Sequence, residues 1–221
     1  MIMAGLVYVN GQKSDKPGTR IAVDAKIEVR ETLRFVSRGG LKLEAALDHF
    51  HFSPQNLICL DIGASTGGFT DCLLQRGAAK VYAVDVGHGQ LHYRLQHQER
   101  VINMERTHIR DLTLEAVPDR IKAVTIDVSF ISLAKVLPLA WPFLCPGGWA
   151  VALIKPQFEA GPKNLVKGVV RDESVRQICV DKVIECAREL ENTDVLGVIE
   201  SPIHGPKGNI EYLLGLRNKD S

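Results

Sequence analysis

Beyond residue 56, short apolar runs alternate with segments of helix length, and this alternation constrains the fold more than any other feature. The runs cover residues 57–62, 80–86, 101–104, 121–128, 149–154 and 195–199. Several are apolar at successive positions, so both faces of each strand are to be buried, as in a parallel sheet covered on each side. Between them, residues 68–76, 132–144 and 174–191 read as helices. In the last, Val175, Ile178, Cys179, Val183 and Cys186 fall on one stripe. Right-handed strand–helix–strand crossovers then make an α/β fold, a doubly wound Rossmann-like sheet that is mostly parallel, of about seven strands. Residues 211–217 add a short strand, and residues 39–50 supply a helix ahead of the core with Leu41, Leu43, Ala45, Ala46 and Leu47 as its apolar contacts.

Upstream, residues 6–9 and 20–29 read as short strands, separated by the turn signals Asn10-Gly11 and Pro17-Gly18. The expected division is a small β-hairpin segment over 1–34, a linker over 35–38 and the main domain over 39–221. With 221 residues, 45% hydrophobic and 24% charged, the chain can bury one full α/β core plus a small appendage. The longest nearly charge-free stretch, residues 132–154, is cut by Lys135, by three prolines and by Pro146-Gly147-Gly148. It is therefore not a membrane-spanning helix. Residues 1–9 lack a basic lead and a cleavage site, and the five cysteines form no Cys-x-x-Cys pair. A cytoplasmic protein with reduced thiols is expected. His88 and His92 are four apart with no carboxylate or thiol nearby in sequence, so they are assigned to a surface or RNA-facing position and no metal site is expected. Net charge is only +1, but residues 1–47 carry eight basic side chains (Lys13, Lys16, Arg20, Lys26, Arg30, Arg34, Arg38, Lys42) against five acidic ones. A basic end on a neutral body suits a polyanion and equally suits a solvated face.

The strongest motif is Leu60-Asp61-Ile62-Gly63-Ala64-Ser65-Thr66-Gly67-Gly68-Phe69-Thr70, which leaves the first core strand and opens a helix. Small residues there admit a ligand to the backbone, and the helix start offers free N–H groups. The next strand leads to Asp85-Val86, where a carboxylate can bind the ribose hydroxyls of an adenosine. A nicotinamide dehydrogenase shares this layout, but its three-glycine fingerprint cradles a pyrophosphate. Here an acidic Asp61 at the strand end suits a cationic amino-acid moiety, which favours S-adenosylmethionine over a dinucleotide. The cofactor set is then Asp61, Gly63, Ala64, Ser65, Thr66, Gly67, Gly68, Phe69, Asp85, Val86 and Asp127. Four further polar residues stand out: Lys42 interrupts the apolar stripe of its helix, Asp127 and Lys155 end core strands, and Glu211 follows Gly205-Pro206-Lys207-Gly208-Asn209-Ile210. Any one alone reads as a surface salt bridge; together at one sheet edge they read as a site.

Five stretches in order resemble the TlyA family, which is hemolysin-like by name and FtsJ-like in fold. They are Val36-Ser37-Arg38-Gly39-Gly40-Leu41-Lys42-Leu43, residues 61–70, Asp127-Val128-Ser129-Phe130-Ile131-Ser132-Leu133, Lys155-Pro156-Gln157-Phe158-Glu159 and residues 205–211. The resemblance implies methylation of cytidine 2′-hydroxyls in ribosomal RNA, with ribosomal RNA or a ribosomal subunit as partner. It also implies a catalytic tetrad of Lys42, Asp127, Lys155 and Glu211, with Lys155 as the central proton acceptor or positioning group. Family members begin with two helices and a β-hairpin that bind RNA, whereas residues 2–11 resemble the end of the second helix running into the hairpin. The RNA-binding domain is thus expected to be partial. Three rival readings are a membrane-active hemolysin, a silent RNA-binding module and a base methyltransferase. The first wants a spanning or long cationic amphipathic helix. The second needs neither Asp85 nor the glycine loop. The third wants an Asn/Asp-Pro-Pro-aromatic motif or a cysteine where Asp127-Val128-Ser129-Phe130 stands.

Overall fold

The computed structural model describes residues 7–14, 16, 18–29 and 34–220. The chain divides into two compact units, Met1–Arg34 and Phe35–Ser221.

In the smaller unit, β1 (Val7–Val9) pairs antiparallel with β2 (Gln12–Lys13) on one side and with β3 (Ile27–Val29) on the other. Asn10 and Gly11 between β1 and β2 have φ of 51° and 79°. Positive φ at both central residues makes the type I′ turn whose twist matches a hairpin. The strand expected over 20–29 is confined to Ile27–Val29, because the Ala25 N–H turns back to the Ala22 carbonyl (3.1 Å). The helix end expected before Val7, and Pro17 of the second turn signal, lie outside the described residues.

The larger unit runs α1 (Gly39–His49), β4 (Ile58–Ile62), α2 (Gly68–Gln75), β5 (Lys80–Val84), α3 (Tyr93–Gln96), β6 (Val101–Met104) and β7 (Ile121–Ile126). It continues with α4 (Leu133–Ala140), β8 (Leu144–Ile154), α5 (Pro156–Glu159), α6 (Glu173–Arg188), β9 (Thr193–Glu200) and β10 (Tyr212–Asn218). Its seven-stranded sheet has the order β6-β5-β4-β7-β8-β10-β9. The β4–β8 part is parallel, and β10 inserts antiparallel between β8 and β9. Strand order reverses between β4 and β7, so the crevice at their carboxyl ends is where an open α/β sheet binds ligands.

The pleat divides the core in two. Leu60, Ile62, Val84, Val124, Ile126 and Ile154 face α4 and α6, while Cys59, Val81, Ala83, Ala123, Val151 and Leu153 face α1 and α2. This is why the runs are apolar at consecutive positions. Some local expectations shift. Residues 35–38 are no linker: Phe35 is buried against α1, and the Val36 N–H donates to Asp71 Oδ2 (2.8 Å). The helix expected over 132–144 ends at Ala140 and gives way to a 3₁₀ turn, Trp141–Phe143, in which Pro142 supplies no N–H. Leu144 already pairs with Ile121, so β8 starts earlier than residue 149, and residues 145–148 bulge out before Trp149 pairs with Ala123. On α6 the buried stripe is Cys179, Val180, Val183 and Ala187, and Ile178 faces solvent.

Candidate active site

The loop leaving β4 is shaped by two glycines with left-handed backbone, Gly63 (φ 83°) and Gly67 (φ 95°). A Cβ on Gly63 would run into the Asp127 carbonyl, and one on Gly67 into the side chains of Leu95 and Leu91. These glycines therefore let the loop lie flush against the end of β7 and the α3 segment; protein, not ligand, fills the missing side-chain volume. The result is a cavity of about 540 Å³ at the switch point. Its wall is largely apolar, with Ile62, Val84, Val86, Ile109, Val128 and Ile131 around the carboxylate of Asp85. That carboxylate is held in place: its Oδ2 accepts the Ser65 N–H and its Oδ1 the Gly87 N–H, both at 2.7 Å. Val86 is two-thirds exposed, an unusual state for a valine that here serves as cavity wall.

A second cavity, of about 370 Å³, shares Gly63, Ser65 and Asp127 with the first. It is bounded by Lys42, Lys155 and Glu211 and by Ala64, Thr66, Gly68 and Phe69 of the loop. All four residues of the expected tetrad thus line one space. They form two ion pairs. Lys42 Nζ lies 2.5 Å from Glu211 Oε2, with Glu211 fully buried, and Gln157 Nε2 donates to the other Glu211 oxygen (2.9 Å). Lys155 Nζ lies 2.6 Å from Asp127 Oδ1, a charge contact without hydrogen-bond alignment, and donates to Ser129 Oγ (2.9 Å). The Lys155 end of this arrangement borders the larger cavity, because Asp127 and Ser129 line it. Beside Ser129, Phe130 has φ of 64° and is 91% exposed, with its ring 5.0 Å from that of Phe158. A bulky residue in the left-handed region is costly and points to a functional constraint.

Asp61 stands apart from both cavities. It is fully buried, with its oxygens accepting from Thr70 Oγ1 (2.6 Å) and Thr125 Oγ1 (2.8 Å). Burial pushes its carboxyl up to about 6, helped by nearby Asp127 and opposed by the two hydroxyls. Its visible work is to tie α2 to β7 beneath the loop rather than to line the pocket. Thr125, a polar residue inside an apolar strand, was the sequence signal for this network. His88 sits 3.1 Å from a carboxylate distant in sequence, Glu105, and His92 Nδ1 accepts the Arg94 N–H at the start of α3. Among the described residues, no cluster of His, Cys, Asp and Glu is placed to hold a metal ion. Ser129, Gln157 and Phe158 lie inside motifs read from the sequence but drew no role there.

Residues 35–218 match the model of the FtsJ-like methyltransferase family. The chain is 45% identical to the Mycobacterium tuberculosis protein named 16S/23S rRNA (cytidine-2′-O)-methyltransferase TlyA, covering 99% of this chain and 82% of that one. It is 46% identical to Hemolysin A of Brachyspira hyodysenteriae, over 96% of this chain and 89% of that one. A solved structure from Streptococcus thermophilus carrying the hemolysin name superposes with a TM-score of 0.82 at 45% identity, covering 100% of this chain and 81% of that one.

Proposed function

The chain belongs to the FtsJ-like methyltransferase family, and from that premise we propose that it moves a methyl group from S-adenosylmethionine to a cytidine 2′-hydroxyl of ribosomal RNA. One observation carries this reading: two lysine–carboxylate pairs line a polar space whose wall is shared with an apolar, nucleoside-sized cavity. The residues present fit the cofactor. Asp85 offers a preorganised acceptor for ribose hydroxyls, and the apolar wall suits an adenine ring. Asp127 lines both cavities, so its carboxylate borders the space that a cationic amino group would take. When bound, the cofactor supplies an electrophilic methyl group on a sulfonium.

The protein's own residues supply the rest. A ribose hydroxyl is a weak nucleophile, so it needs a fixed orientation and a proton acceptor. Lys155 Nζ, held between Asp127 and Ser129, orients the 2′-hydroxyl and, only as the neutral amine, takes its proton as the oxygen–carbon bond forms. Asp127 then stabilises the resulting ammonium through a contact that requires no rearrangement. The Lys42–Glu211 pair, locked by Gln157, walls the far side of the cavity. Phe130 and Phe158 present an aromatic surface on which an unpaired base can stack. The segment over residues 1–34, with Lys13, Lys16, Arg20 and Lys26 on and between short strands, is read as an RNA-binding segment that contacts phosphates. A ribosomal substrate places the protein in the cytoplasm. Among the described residues no helix is long and apolar enough to cross a membrane.

The test is tritium-methyl transfer to ribosomal subunits, followed by nuclease digestion and mass identification of the labelled nucleoside. 2′-O-methylcytidine is expected. A base-methylated nucleoside, or no transfer by wild-type protein that binds the cofactor, overturns the reading.

A further inference from the structure

The loop between β5 and α3 carries a side chain that no sequence motif singles out. Glu105, just after β6, gathers the loop's backbone. Its Oε2 accepts the Gly89 N–H (2.9 Å) and lies 3.1 Å from His88 Nδ1, and its Oε1 accepts the N–H groups of Gln90 (3.0 Å) and Leu91 (3.4 Å). These donors, the Gly89 N–H above all, hold the Glu105 carboxyl below its ordinary range. A carboxylate that collects so many donors from one short loop fixes the loop's path.

What this path positions is Gln90. Its Oε1 accepts from Ser65 Oγ (3.3 Å), and its amide lies over Gly87, where any Cβ would collide with Nε2. Gln90 thereby lines the larger cavity together with Ser65 and Asp85. Among the described residues its Nε2 donates to no protein group. Each Asp85 carboxylate oxygen acts as an acceptor and already receives one backbone N–H. A ribose diol brings two hydrogens to give and lone pairs to be satisfied, so an acceptor alone meets half of its needs. A free amide donor beside the acceptor meets the other half.

We propose that Gln90 is a further cofactor-binding residue, donating its amide N–H to the ribose hydroxyl oxygens whose hydrogens go to Asp85, and that Glu105 is the positioning residue that holds it there. The proposal rests on the larger cavity being the nucleoside site. It explains why a glycine stands at position 87, since alanine there would push the Gln90 amide away from the cavity mouth.

The experiment is calorimetric titration of the full chain with S-adenosylhomocysteine and with 5′-methylthioadenosine, which keeps the nucleoside but lacks the amino acid. Gln90→Ala, on an exposed side chain that folding does not need, should weaken both ligands by the same factor, about 2- to 10-fold, the weight of one neutral hydrogen bond. Gly87→Ala should weaken both ligands at least as much, because its Cβ displaces the Gln90 amide and also comes to 3.0 Å from Asp85 Oδ1. Glu105→Gln should weaken binding in the wild-type background and add little to Gln90→Ala, since a positioning residue loses its effect once its client is gone. Unchanged affinity in Gln90→Ala and Gly87→Ala, with Asp85→Ala binding poorly, overturns the role of Gln90 while leaving the nucleoside site standing. Additive losses for Glu105→Gln and Gln90→Ala overturn the positioning role. If Asp85→Ala binds like wild type, the assignment of the cavity falls, and the proposal with it.

Discussion

Replacing Lys42 with methionine asks whether the Lys42–Glu211 pair is as dry in solution as its packing requires. The side chains are 10% and 0% exposed, and the charges stand 2.5 Å apart. Removing the lysine leaves a buried carboxylate with one neutral donor, Gln157, on one oxygen. Breaking a buried pair in this way costs about 3–5 kcal/mol, against about 0–1 kcal/mol for an exposed pair. For a domain of this size each kcal/mol moves the melting temperature by about 2–4 °C, so a drop of roughly 6–20 °C is expected. The double variant Lys42→Met/Glu211→Gln removes both charges and keeps an acceptor for Gln157. It should return to within about 1 kcal/mol of wild type, because the pair's attraction is largely offset by the desolvation of its two ions. Urea unfolding followed by tryptophan fluorescence reads the right unit, since Trp141 and Trp149 are both buried in the larger one. Methyl transfer should fall in both variants, because each alters the wall of the proposed site, whereas only the single variant should lose stability. A single variant that loses less than about 1 kcal/mol, or a double variant no more stable than the single, refutes the reasoning.

Other outcomes follow from the same geometry. Lys155→Ala should lower methyl transfer by about 10²–10⁴-fold, with S-adenosylhomocysteine affinity unchanged in calorimetry, because the side chain acts on the acceptor's proton. The raised Asp61 carboxyl gives a pH dependence: burial of the charge costs nothing below the ordinary value of 3.8 and its full amount above about 6. Asp61→Asn should therefore gain stability relative to wild type between pH 4 and pH 7.5, by up to about 3 kcal/mol, in urea titrations at the two pH values. Lys13, Lys16 and Arg20 replaced together by alanine should flatten the salt dependence of ribosomal RNA binding, by about 0.7–0.9 in log–log slope for each phosphate no longer neutralised, measured by filter binding.

How much of this was legible in the chain depends on the range of the interaction. Consecutive apolar positions in residues 57–62 and 121–128 announced strands buried on both faces, because the two-residue period of a strand is local and each face must find its own cover. Asn10-Gly11 announced its turn for the same local reason. The tetrad residues were visible as polar side chains at strand ends and on an apolar helix stripe. Their pairing was not: Lys42 and Glu211 lie 169 residues apart, and nothing in either neighbourhood encodes the distance between them. Only the sheet order, which inserts β10 beside β8 and sets α1 across that face, brings them together. The same long range hid the work of Asp61. Its place in the glycine motif suggested a pocket wall, whereas Thr125, arriving from a neighbouring strand, turns it into a buried tie under the loop. At Gly63 and Gly67 likewise, the volume a side chain would take is filled by the Asp127 carbonyl and by Leu91 and Leu95, neighbours that only the fold supplies. A sequence determines which segments must bury their faces. Which polar atoms then meet is decided by packing, because a hydrogen bond or ion pair needs two partners within about 3 Å, a condition only the assembled sheet can set.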